Sequence, residues 1–289
     1  MGQTAAVGDG ALMQKSLTIS NGEFQQLRDF IYDRFGIHLS DEKKSLVVGR
    51  LQKDLQTNGF TSFKEYYNHL LTAPTQEAFS NLINRISTNY SFFYREKAHF
   101  EFLVKTVLPE ITQRLERRQS NDIRFWCAGC STCEEPYTII MLMFEYFGMD
   151  YQKWDAGILA TDISDRVIQF AKKAVYPDGR VCQLPKKMRD RYFTKSGNDM
   201  IVKERVKREV VIRRFNLMNP FPFKKTFQVI FCRNVIIYFD QKTREKLIKK
   251  YHDFLEPGGY LFIGHSETIP RDQGLFEYVQ PALYRKPLL

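Results

Sequence analysis

The chain has 289 residues, 43% of them hydrophobic and 26% charged, the balance of an ordinary globular protein with room for one large domain or two modest ones. No apolar run approaches the ~18–20 residues that span a bilayer, so membrane insertion is not expected. Its five cysteines, three of them within seven residues, are not a disulfide framework, which points to a reducing cytoplasm.

Residues 1–17, rich in Gly and Ala near the start, read as a disordered tail rather than a secretion signal. Residues 18–88 read as an all-helical domain. Ser20 and Glu23 form a capping box ahead of Phe24, Leu27, Ile31 and Phe35 at helical spacing, and Gly36 can end that helix. A second helix is expected over 41–57. A third opens at a box formed by Ser62 and Glu65 and stops before Pro74, and a fourth covers 75–87. This part carries eight basic and eight acidic residues over 16–88 and no chemistry-bearing cluster, so it suits a recognition module.

Residues 88–96, Thr-Asn-Tyr-Ser-Phe-Phe-Tyr-Arg-Glu, crowd aromatic rings around Arg95. A long helix follows, with a bend expected at Pro109. From Asp122 the pattern alternates. Strands are expected at 123–128, 157–161, 209–215, 227–232 and 259–264, and helices at 132–147, 164–174 and 240–255. Such alternation implies an α/β fold with a mainly parallel sheet covered on both faces. The stretch 193–214 interrupts it and reads as a small β insert with a turn at Gly197. Residues 186–214 hold eleven Lys/Arg against four acids, a net of +7. That surface is either merely solvated or a docking face for an acidic partner.

The segment from Ile123 to Tyr137 is a strand, a small-residue loop and a helix start, the unit that holds nucleotide-like cofactors in α/β folds. It has Gly129 but no G-x-G-x-x-G, and it runs into Glu134 and Glu135, which repel phosphate. A phosphate-free, positively charged nucleoside fits better. Glu135 also completes a capping box with Thr132, so a helix-capping role stands beside a ligand role. Asp162, at the tip of the next strand, suits ribose hydroxyls, with helix capping as its alternative. Cys127, Cys130 and Cys133 share iron–sulfur spacing, but no Cys-Pro follows, and a strand and a helix start are poor platforms for one ion. Each reads as a small buried residue, and no metal is expected. Arg233, Asn234 and Tyr238 place three polar groups at the carboxyl edge of a buried strand, the mark of a pocket.

Taken in order, Thr-Asn-Tyr-Ser-Phe-Phe-Tyr-Arg95-Glu, Cys-Ser-Thr-Cys-Glu-Glu135-Pro-Tyr, Ala-Thr-Asp162-Ile, Phe-Asn216-Leu, Phe-Cys-Arg-Asn-Val-Ile-Ile-Tyr238-Phe and Gly-His-Ser-Glu267 resemble the bacterial chemotaxis receptor methyltransferases over about residues 18–286. The resemblance implies a Rossmann-like S-adenosylmethionine-dependent methyltransferase domain over 89–289, with the 193–214 β-subdomain inserted, after the all-α N-terminal domain. It implies methyl transfer to glutamate side chains of chemoreceptors, with S-adenosylhomocysteine as product. By motif position it assigns Asn89, Ser91, Arg95, Glu135, Asp162, Asn216, Leu217, Arg233 and Asn234 to the cofactor. Arg95 and Tyr238 are assigned to the reacting carboxylate. Cys133 stands where that family usually has Gly, and Ser91 where it often has Thr. The insert reads as shorter than in members that grip a receptor's C-terminal pentapeptide, so no such tether is expected. The expected partners are chemoreceptor helices, not nucleic acid, and the expected state is a monomer. The alternatives are a nucleic-acid methyltransferase, suggested by the pI near 9.3, and a non-catalytic module that senses the cofactor.

Overall fold

The computed structural model describes residues 17–72, 74–269 and 274–288; all but Leu17 of the tail expected over 1–17 lies outside them. Four helices come first: α1 (Asn21–Phe35), α2 (Lys44–Thr57) after a 3-10 turn at Asp41–Lys43, α3 (Phe63–Thr72) and α4 (Gln76–Ile86). At α1 both arms of the Ser20–Glu23 box are made, and Gly36 closes the helix at φ 70°. At α3 only half forms. Ser62 Oγ accepts from Glu65 N at 3.2 Å, while the Glu65 carboxylate turns back to Thr61.

The long helix expected after residue 96 is three pieces: α5 (Lys97–Phe102), a π turn at Leu103–Val107 and α6 (Leu108–Arg117). Pro109 sits in the first turn of α6. Lacking an N–H, it cannot bond four residues back, and the wider turn before it takes up the missing bond.

Among the described residues ten strands follow: β1 (Asp122–Ala128), β2 (Asp155–Asp162), β3 (Val175–Pro177), β4 (Phe193–Ser196), β5 (Asp199–Val202), β6 (Val210–Arg214), β7 (Phe227–Cys232), β8 (Leu255–Ile263), β9 (Glu277–Gln280) and β10 (Leu283–Arg285). Between them lie α7 (Glu134–Phe147), α8 (Asp165–Lys173), α9 (Asp178–Val181), α10 (Lys186–Tyr192), α11 (Glu204–Lys207) and α12 (Gln241–Phe254). Seven strands form one sheet in the order β6-β2-β1-β7-β8-β10-β9. Its first five are parallel, and β10 and β9 run antiparallel at the edge. The winding reverses between β1 and β7, so a crevice opens at their carboxyl ends.

The insert differs from its expected bounds. A separate antiparallel sheet, β3-β5-β4, draws on residues from 175 onward. Within the expected β insert, residues 204–207 form α11, and β6 belongs to the large sheet through β2. Residues 193–214 are therefore not one unit. The Gly197 turn joins β4 to β5, with Gly197 at φ 59°.

Two apolar layers cover the large sheet. On one face, α5, α6, α7 and the small sheet pack around Phe125, Phe231 and Phe262. On the other, α1–α4 and α12 pack around Trp126, Ile230 and Leu261. The helical module is thus built into the sheet's own core. A bridge from Ile37 to Phe239, with His38 N donating to Tyr238 O at 2.8 Å, ties it directly to the carboxyl edge of β7.

Candidate active site

The loop after β1 is held by its own amides. Gly129 N and Cys130 N both donate to Thr161 O, at 2.8 and 2.9 Å, and Ser131 N donates to Asp162 Oδ2 at 2.9 Å. Gly129 takes φ 84°, and a Cβ there would lie 2.3 Å from Val235, so the β1 and β7 loops can approach only with glycine at this position. Asp162 Oδ1 accepts from Ser164 N at 3.0 Å. Burial pushes the Asp162 carboxyl up, against the backbone amides of Ser164 and Ser131 that favour its ionised form. Ser164, not Asp162, caps α8. Asp162 is left to the cleft.

The Thr132–Glu135 capping box does not form. The N-cap of α7 is Cys133, at φ 68° with no side-chain cap, and that left-handed turn sends Thr132 elsewhere. Its hydroxyl donates to the carboxylate of Glu134, which is 0% exposed and is also paired with Arg180 at 2.7 Å. Glu135 is released toward the cleft and binds Arg233 Nη1 at 2.6 Å. Arg233 Nη2 reaches Glu96 Oε2 at 3.1 Å and donates to Arg95 O at 2.5 Å, and its guanidinium lies 5.4 Å from the Phe100 ring.

This buried cation has two counter-ions. Burial alone would lower the Arg233 pKa, but Glu135 and Glu96 outweigh it and raise it. Burial raises Glu135, opposed by Arg233. Burial would raise Glu96 too, yet Arg233 and then His265 and His99 hold it below the usual carboxylate range. His99 is pushed down to about 4 by burial first and Arg233 second, so it is neutral at pH 7.

The loop after β7 is held by Glu267. Its carboxylate accepts from Gly264 N at 2.5 Å, Asn234 N at 2.9 Å and Ile237 N at 3.0 Å. Asn234 takes φ 59° under this clamp.

At the mouth, Asn89 Nδ2 donates to Asn84 Oδ1 at 3.3 Å, and Ser131 Oγ donates to Asn89 O at 3.0 Å. The chain kinks at Tyr94 (φ 66°) and Glu96 (φ 59°), which separates the side chain of Arg95 from the buried acids. Arg95 Nη1 donates to Tyr90 O at 3.1 Å, and its guanidinium sits 6.0 Å from the Phe92 ring. Among the described residues no carboxylate pairs with it. The Tyr238 hydroxyl accepts from Thr88 N at 3.0 Å. Asn216 Nδ2 donates to Arg34 O at 2.8 Å, and its Oδ1 accepts from Met218 N at 3.0 Å, so it also braces α1.

One cleft of about 1080 Å³, its open mouth included, is lined by Asn89, Ser91, Arg95, Glu135, Asp162, Asn216, Leu217, Arg233, Asn234 and Tyr238 together. All ten residues that the resemblance assigns to the cofactor or the carboxylate line it. Sequence reasoning missed Glu96, Arg180 and the purpose of Glu267, and it set Glu134 beside the ligand, where the structure buries it against Thr132 and Arg180. Of those missed, only Glu267 left a trace, as the end of the Gly-His-Ser-Glu267 motif.

A family model described as the SAM-binding domain of CheR methyltransferases matches residues 89–284, and one described as their all-alpha domain matches residues 22–87. The chain belongs to the CheR methyltransferase family. A chemotaxis protein methyltransferase of Borreliella burgdorferi is 42% identical over 273 residues, covering 94% of this chain and 96% of that protein. A probable one of Rhizobium etli is 35% identical, covering 88% and 96%, and that of Escherichia coli is 33% identical, covering 89% and 87%. The cofactor is therefore S-adenosylmethionine.

The residues present fit that cofactor. The amides of the Gly129–Ser131 loop are spent on Thr161 and Asp162, so no cradle for a phosphate remains. Asp162 offers a carboxylate to hydroxyls, and Glu135 offers one to a cation. Cys127 on β1 and Cys130 and Cys133 in the loop are buried and free. Among the described residues, the side chains that cluster as three potential metal ligands are Glu96, His99 and His265, and Glu96 there is already the counter-ion of Arg233. No described helix is long and apolar enough to cross a membrane.

Proposed function

We propose that this enzyme methylates glutamate side chains of chemoreceptors, forming methyl esters. The observation that carries this reading is the guanidinium of Arg95 at the mouth of the cofactor cleft, which has no carboxylate partner among the described residues, in the same cleft as Arg233, which is neutralised by Glu135 and Glu96. A carboxylate is ionised at neutral pH and needs no general base, only placement. When bound, S-adenosylmethionine supplies a methyl group activated on a sulfonium.

Asn89, Ser91, Asp162, Asn216, Leu217, Arg233 and Asn234 hold the cofactor, with Asp162 on ribose hydroxyls and Glu135 on the cationic amino-acid end. Arg95 orients the incoming carboxylate by a charge-assisted hydrogen bond. Tyr238 donates to its other oxygen after turning from Thr88. The kink at Tyr94 and Glu96 keeps the two arginines in separate roles, so the nucleophile is not drawn to the floor.

We place the enzyme in the cytoplasm as a monomer, working without a pentapeptide tether. The basic surface over 186–214 faces acidic receptor helices. Incubation with radiolabelled methyl donor tests the reading, first with receptor membranes and then with RNA and DNA. Base-labile label on receptor protein is expected. Label on nucleic acid, or none anywhere, overturns it. Tight binding of a receptor C-terminal pentapeptide to the small sheet would remove the tether-free reading alone.

A further inference from the structure

The cofactor loop contains a Cys-x-x-Cys pair, Cys130 and Cys133, that the methyl-transfer chemistry does not use. Their sulfurs lie 3.6 Å apart, with the Cys133 thiol donating to Cys130 Sγ. Cys133 N donates to Cys130 O at 2.9 Å, closing a four-residue turn. The ends of such a turn lie within about 7 Å, which overlaps the Cα separation a disulfide requires. Both thiols are free. Cys130 also lines the cleft, whereas Cys133 does not, so a small reagent in the cleft reaches Cys130 before its partner. Cys133 occupies a left-handed position, φ 68°, where a glycine would sit without strain. A side chain is kept there at a conformational cost, and its sulfur points at Cys130.

We propose that Cys130 and Cys133 are a site of oxidative modification, in which a hydroperoxide converts the pair to a disulfide and disrupts the cofactor loop. The Cys130 sulfur attacks one peroxide oxygen and breaks the O–O bond. This gives a sulfenic acid and, with hydrogen peroxide, one water. The Cys133 sulfur then attacks the sulfenic sulfur and displaces hydroxide, which leaves with the Cys133 proton as a second water. Two electrons pass from the sulfurs to the peroxide. The Cys133 side chain beside it, and then burial, push the Cys130 thiol up, so it is slow to react and the pair stays reduced at low peroxide.

Closure must move the loop. The sulfurs have to approach from 3.6 Å to about 2.05 Å. Between them Ser131, at φ 48°, anchors the loop to Asp162 through its amide and to Asn89 O through its hydroxyl. Tightening the turn pulls Ser131 off both anchors, and both lie in the cofactor cleft.

The test treats the reduced full-length protein with hydrogen peroxide, then measures intact mass, maps the disulfide and titrates S-adenosylhomocysteine by calorimetry. The expected result is loss of two hydrogens per chain, a Cys130–Cys133 linkage, and an affinity weakened about tenfold or more that dithiothreitol restores. Cys133→Gly and Cys133→Ser are each compared with their own untreated form and should show no peroxide effect. Cys182→Ser, at the exposed thiol, should keep it. Oxygen addition without hydrogen loss, a linkage to Cys127 or Cys182, or a mapped Cys130–Cys133 disulfide with unchanged affinity would each overturn the proposal.

Discussion

Arg233 and Arg95 line the same cleft and are built in opposite ways. Arg233 is 3% exposed and lies between Glu135 and Glu96, with a carbonyl and the Phe100 ring completing its surroundings. Among the described residues, Arg95 has only a carbonyl and the Phe92 ring. A buried charge must be compensated within the protein, whereas a charge at an open mouth can wait for a partner that arrives with the substrate. The difference separates a floor that makes the cleft from a mouth that uses it.

The sharpest way to break this comparison is to remove each guanidinium in turn. Arg233→Ala strands two acids in the floor. Breaking a buried pair by removing one partner costs about 3–5 kcal/mol, and here two acids lose theirs. Denaturant unfolding should show a loss of that order, with cofactor binding abolished. Arg95→Ala should leave the unfolding midpoint within about 0.5 kcal/mol of the parent, as for a surface change. Its turnover should fall about 100-fold, near 2.7 kcal/mol of barrier, with cofactor affinity moved far less. A variant at Arg95 that unfolds like the one at Arg233, or that methylates normally, erases the distinction between floor and mouth.

How much of this was legible follows from the same contrast. Residues that line the cleft sit at fixed places on a repeating plan, such as the loop after the first strand or the tip of the second, and Asp162, Asn234 and Tyr238 were readable there. Residues that serve other residues follow no spacing. Glu96 compensates an arginine 137 positions away, and Glu267 clamps the loop at Asn234 from 33 positions away. Neither pairing leaves a local pattern. The Thr132–Glu135 box failed because a local rule met a left-handed residue at Cys133. The small sheet was misplaced because its first strand, Val175–Pro177, has three residues, too few to show a period.

Acid titration gives the smallest effect and sharpens the comparison further, because only the floor should respond. His99 is fully buried against Phe262 and His265, and its folded pKa is about 4 against an ordinary 6.5. The unfolded chain therefore takes a proton below 6.5 that the folded chain refuses until about pH 4. Stability is complete above 6.5 and is lost as pH falls through that window, and Glu96, held low by Arg233, adds to the loss below its ordinary 4.5. Between pH 7 and 5.5 the His99 share is about 1 kcal/mol, or roughly 2 °C in melting temperature for a chain of this size. His99→Phe keeps an aromatic ring against Phe262 and cannot titrate. Its melting temperature should fall less steeply over that interval than the parent's, whatever its absolute value. Arg95→Ala should keep the parent slope. Equal slopes in the parent and His99→Phe would mean that the floor is not closed to protons, and the contrast with the mouth would then rest on the two arginines alone.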